Sequence, residues 1–146
     1  MNWKKNILIR IFEVGYLASL VTLAYVTPLI VLSECSFRTP RIVSQDDVYQ
    51  RIKKLKIRLG IPEDVEINCE LDYKVKYSTS YSAKLDDKFY EVYLHPNHYY
   101  EGILRHEMEH IASGVCDEEP GILHDIKYYL IYEPRATLCE GLDICL

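Results

Sequence analysis

The longest apolar stretch of the chain lies close to its amino terminus. Val14–Leu32 carries no charged side chain, and Ile7–Phe12 extends the stretch with a single interruption at Arg10. An α-helix needs about 20 apolar residues to cross the hydrocarbon core of a bilayer. Residues 1–32 are therefore predicted to form a single-pass membrane anchor, in which residues 7–32 contact the lipid bilayer.

Two other interpretations of this stretch stay open. A cleaved signal peptide usually has an apolar region of about 7–15 residues that ends in small residues. Here the stretch is longer and continues into Leu32-Ser33-Glu34-Cys35, where the acidic side chain is poorly suited to cleavage. A buried core helix would have a polar face, and the stretch has none.

Charge and cysteine content bear on the side of the membrane that the rest of the chain occupies. Three basic residues precede the span and two follow it, which favours a cytoplasmic amino terminus and an extracytoplasmic domain. The five cysteines form no Cys-x-x-Cys pair, which argues against a zinc ribbon or a thioredoxin-type centre. They are either buried thiols or partners in up to two disulfides, and disulfides persist outside the cytoplasm.

The rest of the chain is predicted to be a short polar linker, residues 33–43, followed by one domain, residues 44–146. An amphipathic helix opens the domain at Ser44–Leu59, since apolar residues recur on one helical face. Ser44 is suited to be its N-cap, and Gly60 is suited to end it. The apolar face holds Val48, Ile52, Leu55 and Leu59.

Three segments after this helix alternate apolar and polar residues, as half-buried strands do. They are Val65–Cys69, Asp72–Tyr81 and Phe89–Leu94, and a polar turn region, Lys84–Lys88, precedes the third. Strands between helices predict an α+β domain with a small antiparallel or mixed sheet. The edge of the third strand is predicted to pair with an extended peptide.

The next predicted helix, from about Tyr99 to Gly114, carries two neighbouring stripes. One contains His106, Glu107 and His110 in the pattern His-Glu-x-x-His. Residues four apart lie on one helical face, so both imidazoles can bind one metal ion. Glu107 lies beside them, where it can accept a proton from a metal-activated water molecule. The other stripe is apolar and is expected to face the core: Leu104, Met108, Ile111 and Val115.

This pattern is typical of zinc peptidases, and the segment from Ser44 to about Cys139 resembles a minimal gluzincin-type catalytic domain. The resemblance includes the entry into the sheet at Leu59–Pro62 and the strand before the motif helix. It also includes Glu133, because a second helix supplies a glutamate ligand in gluzincins. The resemblance implies that the domain has a zincin-like fold with a carboxyl-terminal helix. It also implies that Zn²⁺ is bound by three residues, His106, His110 and Glu133, with Glu107 as the catalytic base.

A different third ligand is also possible. A later histidine after the motif resembles the SprT-like zincins, and His124 stands in that place. Two residues depart from the gluzincin pattern: Pro134 either breaks the second helix or begins a new one, and Thr137 stands where many gluzincins have aspartate.

The formal net charge is −5, so the composition gives no reason to expect a nucleic-acid partner. The predicted function is a membrane-anchored zinc metallopeptidase that hydrolyses a peptide or protein substrate. The alternative is a non-catalytic zinc-binding domain, tethered to a membrane, that serves interactions. Glu107 favours the enzyme, because a purely structural zinc site does not need that carboxylate.

Overall fold

A computed structural model describes residues 3–71, 77, 79–119 and 121–142 of the protein. The chain divides into two compact units, with the boundary between Val31 and Leu32. The predicted strand Asp72–Tyr81 lies mostly outside the described residues.

The first unit is helical over its described residues. Helix α1 spans Trp3–Val21, a π-helical turn follows at Thr22–Val26, and helix α2 spans Thr27–Ser36, of which the last five residues belong to the second unit. The segment Glu13–Ser36 is long and apolar enough to cross a membrane. Hydroxyls in this segment bond to carbonyls of their own helix, so these donors need no partner from outside it: Ser19 to Gly15, Thr22 to Ala18 and Thr27 to Thr22.

Helix α3, Gln45–Leu59, is present as predicted, with the expected ends. Ser44 Oγ accepts a hydrogen bond of 3.1 Å from the N–H of Asp47, which satisfies one of the free donors of the first turn. Gly60 ends the helix in the left-handed conformation, with φ of 69°. The predicted apolar face lies in the core, where Val48, Ile52 and Leu55 are buried.

Over the described residues the sheet has three strands and is mixed, one of the two arrangements predicted. Strand β1 is Glu66–Asn68, β2 is Tyr81–Asp86 and β3 is Phe89–Tyr93. Their order is β1-β3-β2, with β1 parallel and β2 antiparallel to β3. The third predicted strand is therefore the central one.

Two predictions about the sheet are wrong. Lys84–Lys88 is not all turn, because Lys84 pairs with Tyr90 and Asp86 pairs with Phe89, so backbone pairing extends β2 through polar residues. Because β3 has a neighbour on each side, it has no free edge for a peptide. Among the strands that the structure describes, β1 and β2 each pair with β3 alone, so these two are the edge strands.

Helix α4, Glu101–Ala112, carries the motif and packs on α3 and the sheet. Its predicted apolar stripe is buried together with apolar residues of α3 and β3, which confirms the orientation expected from the pattern: Leu104, Met108, Ile111 and Val115. Gly114 follows the helix in the left-handed conformation, with φ of 76°.

The last helical segment has three parts. Helix α5 spans Ile122–Lys127, a second π-helical turn spans Tyr128–Tyr132, and helix α6 spans Glu133–Leu142. Helix α6 packs against α4. The architecture is therefore α+β, with the motif helix α4 lying between the core and α6.

Candidate metal centre

His106 and His110 lie one turn apart on α4, as the motif predicts. Their imidazole planes are nearly perpendicular, and the two Nε2 atoms are 3.1 Å apart. His110 is buried and His106 is half-buried. Both Nε2 atoms therefore point towards one common position.

Glu133 meets these two histidines from the first position of α6. Its carboxylate oxygens lie 3.6 Å from Nε2 of His106 and 3.5 Å from Nε2 of His110. Pro134 follows and has no N–H to donate to the preceding turn. The π-helical turn accommodates it, because the N–H of Glu133 bonds to the carbonyl of Tyr128, five residues back. The proline thus lies in the first turn of α6 without ending the helical segment. Glu133 is the junction residue, which lies between the π-helical turn and the proline.

The donor set of His106, His110 and Glu133 could hold a metal ion, since its ligand atoms all lie within 4.8 Å of one another. Zn²⁺ binds nitrogen and carboxylate oxygen at about 2.0–2.2 Å in tetrahedral geometry, which separates neighbouring ligand atoms by about 3.4 Å. The Nε2–Nε2 separation of 3.1 Å is close to this value, and so are the distances of 3.5 and 3.6 Å from these nitrogens to Glu133, which end on its two different carboxylate oxygens. Three protein ligands would leave the fourth position of a tetrahedral ion for water or substrate.

Glu140 fixes the ring of His106 from the side opposite Glu133. Nδ1 of His106 donates a hydrogen bond of 2.8 Å to Oε2 of Glu140, which leaves Nε2 to face the metal position. The other carboxylate oxygen of Glu140 accepts a hydrogen bond from the hydroxyl of Ser36. Glu140 and Ser36 are both buried. The last turn of α2 is therefore hydrogen-bonded to the carboxylate that orients a metal-facing histidine.

Two carboxylates next to one imidazole change its proton affinity. Burial lowers the pKa of His106, but Glu133 and Glu140 outweigh that effect and raise the pKa to about 10. Burial raises the pKa of Glu133, and contacts with His106 and His110 outweigh this, holding the pKa below its usual range. A metal ion that binds Nε2 of His106 must therefore displace a proton from it.

Tyr128 orients the second histidine by stacking. Its ring lies 5.5 Å from that of His110 with an interplanar angle of 24°, and its hydroxyl donates to Glu133. Burial, followed by this contact with Glu133, raises the pKa of Tyr128, so its hydroxyl stays protonated. Tyr128 thus contacts both His110 and Glu133 at the centre.

Glu107 lies beside the two histidines and is buried. Burial raises the pKa of this carboxyl, while His106 and His110 and a hydrogen bond from Ser82 lower it in part. A carboxylate with a raised pKa is a better proton acceptor near neutral pH than an ordinary glutamate. It lies next to the three candidate metal ligands His106, His110 and Glu133, which we call the metal-binding group. The motif predicts a general base at this position.

A cavity of about 540 Å³ opens onto the centre. One wall is Ser80–Ser82 at the start of the edge strand β2, and another contains the metal-binding group with Glu107. Other residues at its wall are Ser33, His98, His124 and Tyr128. Among the described strands β2 is an edge strand, so its first residues combine a sheet edge with the wall of this cavity.

The structure separates the two proposed third ligands. Glu133 belongs to the metal-binding group, whereas His124 stacks on Tyr128 at 6.0 Å and contacts Asp125. The hydroxyl of Tyr132 donates a hydrogen bond of 2.5 Å to Glu118. Thus His124 and Tyr128 line the cavity, and Tyr132 is bound elsewhere.

Sequence reasoning did not single out Glu140 or Ser36. Glu140 lies two helical turns after Glu133, so an i, i+7 spacing of carboxylates on a predicted helix was the available signal. Ser36 carried no signal, because it stands in a segment expected to be linker.

An ion pair between a buried glutamate and a half-buried arginine holds α6 on α4. Arg135 donates two hydrogen bonds, of 2.8 and 3.1 Å, to Oε1 of Glu109, which is buried. The pair spans the two helices that carry the metal-binding side chains. It therefore fixes the distance between Glu133 and the histidines.

The chain matches no protein-family model, no curated protein and no solved structure. The candidate function rests on the geometry of the site.

Proposed function

We propose that the protein is a membrane-anchored zinc metallopeptidase. The observation that carries this proposal is the convergence of His106, His110 and Glu133, whose ligand atoms lie within 4.8 Å of one another, with the buried carboxylate of Glu107 beside them. Two imidazoles, one carboxylate and an open position are the donor set of catalytic zinc sites in peptidases.

Zinc is proposed as the metal because the donors are nitrogen and a single carboxylate, without thiolates. Mg²⁺ and Ca²⁺ prefer sites made of oxygen atoms alone. When bound, zinc supplies Lewis acidity that activates water and polarises a peptide carbonyl. The residues of the chain then hold the reacting groups and move the proton.

Glu107 is proposed as the general base. It accepts a proton from water and passes it to the amine that leaves when the peptide bond breaks. Tyr128 lines the cavity, and its single O–H would turn from Glu133 towards a substrate oxygen to act as a donor there. Such a donor supports the negative charge that develops on a carbonyl oxygen under attack.

The proposed substrate is a polypeptide in extended conformation. The open edge of β2 supplies backbone donors and acceptors along the cavity wall at Ser80–Ser82. An extended segment that pairs there lies beside Glu107 and the metal-binding group.

The proposed location is a membrane, through one helix in the segment Glu13–Ser36. The excess of basic residues before the span favours an extracytoplasmic domain. Proteolysis of intact vesicles and of detergent-opened vesicles, followed by detection of the domain, tests that side.

The catalytic proposal is tested with Glu107→Gln, using Glu101→Gln on the same helix as the matched control. Both changes replace a carboxylate by an amide of nearly equal size, and Glu101 lies outside the cavity, paired with Arg51. We expect both variants to keep zinc. Hydrolysis of a peptide library by Glu107→Gln should fall about 10²–10⁴-fold, with the control unchanged.

Two outcomes contradict the proposal. If Glu107→Gln and the parent hydrolyse the library equally, Glu107 is not the general base. A parent protein that holds zinc, in its membrane, and cleaves no member of the library supports instead the non-catalytic zinc-binding domain.

A further inference from the structure

The segment that precedes α6 exposes an unusual number of apolar side chains. Their exposed fractions are 50% or more at positions that recur with helical spacing i, i+1, i+4, i+7 and i+8, which places them on one face. We call this face the apolar stripe; it consists of Ile122, Leu123, Ile126, Tyr129 and Leu130.

Most other residues of the same segment are polar or face the site, and the exception is Ile131, which is apolar and 49% exposed. His124 and Tyr128 line the cavity of the metal centre. Asp125 and Lys127 flank the stripe, and Lys127 pairs with Glu118. The segment is thus amphipathic with its apolar side outward, the reverse of a helix that packs on a protein core.

The end of the candidate membrane span lies at the same cavity. Ser33, in the last turns of α2, lines it together with His124 and Tyr128. A Cβ atom added at Gly141, in α6, would lie 2.5 Å from the carbonyl oxygen of Leu32, so the two backbones are in direct contact. The segment that carries the apolar stripe therefore lines the same cavity as the last turns of α2.

We propose that the apolar stripe inserts into the surface of the lipid bilayer beside the candidate span, as a second membrane contact of the domain. The inference rests on the membrane anchorage proposed above. A soluble surface rarely leaves a contiguous apolar patch uncovered. For a domain tethered by a span, the bilayer is always within reach, so its effective concentration is high.

The composition of the stripe fits a bilayer surface. An amphipathic helix lies in the interface with its apolar face buried about 5–10 Å, and tyrosine is enriched at that depth. Tyr129 supplies such a ring, and Lys127 at the border can extend its ammonium group towards the headgroups. The contact would place the cavity of the metal centre next to the membrane surface.

The test uses the full chain reconstituted in phosphatidylcholine vesicles whose acyl chains carry bromine, which quenches tryptophan fluorescence on contact. Trp3→Phe removes the single natural tryptophan. Into that background go Leu123→Trp in the stripe, Leu23→Trp in the span and Ile57→Trp on α3. Leu123 and Ile57 are a matched pair, with 76% and 75% of their surface exposed.

We expect bromine to quench tryptophan at position 123 about threefold more than at position 57, because only the first is inserted among acyl chains. Tryptophan at position 23 should be quenched as well. All three sites are exposed, so the substitutions should leave the circular dichroism spectrum unchanged.

Each other outcome overturns the inference in a distinguishable way. Quenching at position 23 but not at position 123 would show that the span contacts the bilayer and that the apolar stripe does not. No quenching at either site removes the anchor itself. Equal quenching at 123 and 57 shows that the stripe has no special contact. If emission at 123 resists bromine and shifts to the blue as the protein-to-lipid ratio rises, a second copy of the chain covers the stripe.

Discussion

The described part of the chain contains two π-helical turns, each followed by a proline at the second residue after the turn, in very different places. The turn Thr22–Val26 lies in the apolar helix and is followed by Thr27 and Pro28. The turn Tyr128–Tyr132 lies at the metal centre and is followed by Glu133 and Pro134. In both, the residue before the proline bonds to a carbonyl five residues back, which widens the turn so that the proline ring fits.

The two turns differ in the side chain that stands at the junction. In the apolar helix Thr27 donates its hydroxyl to the carbonyl of Thr22, so the junction satisfies itself. At the metal centre Glu133 carries a charge, and its carboxylate meets His106 and His110. A proline with a π-helical turn is therefore not by itself a sign of function. The chemistry depends on which residue the widened turn presents and on what lies opposite.

The largest expected effect separates the two junctions. Glu133→Gln should weaken zinc binding by more than about 100-fold, since it removes a charged ligand rather than a group that only orients one. Thr27→Val changes the corresponding residue of the other turn and should leave zinc affinity unchanged. Competition with a chelator of known affinity measures both. Equal affinities for Glu133→Gln and the parent would show that the second junction is no more functional than the first.

The next effect concerns Glu140, which the second junction aligns with Glu133 on one face of α6. Glu140→Gln should weaken zinc binding about 10–100-fold, because the carboxylate that orients His106 is lost while the ligands remain. Glu118→Gln is the control, since Glu118 binds Lys127 and Tyr132 outside the metal-binding group. The same chelator competition applies. A loss as small as in the control would mean that Glu140 does not orient the ring.

A smaller effect is expected from the ion pair that seats α6 on α4. Glu109→Gln should lower the free energy of unfolding by about 1–3 kcal/mol; breaking a fully buried pair costs more, but one third of the Arg135 side chain is exposed. Urea unfolding of the zinc-loaded domain in detergent measures the change. Glu118→Gln, at a more exposed pair, should cost no more than about 1 kcal/mol. Equal costs would remove the special role of the α4–α6 pair.

The smallest effect tests what holds each turn open. Pro28→Ala removes the proline ring that the first π-helical turn accommodates, and zinc affinity should not change. Pro134→Ala should change zinc affinity by less than about threefold, because Tyr128 and Glu133 are held by His110 and His106 as well as by the proline. A loss comparable to that of Glu133→Gln would show that the proline alone fixes the junction.

Helices with local signals could be predicted from the sequence. Three such features depend only on neighbouring residues, and the structure confirms them: the cap at Ser44, the left-handed glycine at position 60 and the buried apolar face of α4. The extent of β2 could not be predicted, because its polar end is held by pairing with β3 rather than by its own composition. For the same reason, the sequence could not show that β1 and β2, rather than β3, are the edge strands.

The residues of the candidate site that lie close together in the sequence could be predicted, and those that come together only through packing could not. His106, Glu107 and His110 follow from one helical turn. The position of Glu133 depends on a widened turn and on the packing of α6 against α4, which spacing along the chain does not reveal. Ser36 lies far away in sequence and reaches Glu140 only because Gly102 and Gly141 allow α2 to approach closely.

The central claim is that His106, His110 and Glu133 form one zinc site, and metal content tests it most directly. The full chain, purified in detergent, should contain one zinc per chain by inductively coupled plasma mass spectrometry. The double variant His106→Ala, His110→Ala should contain none. His98→Ala and His124→Ala, which line the same cavity outside the metal-binding group, should keep the full content. Unchanged zinc in the double variant, or loss of zinc in His124→Ala with retention in Glu133→Gln, would contradict the account.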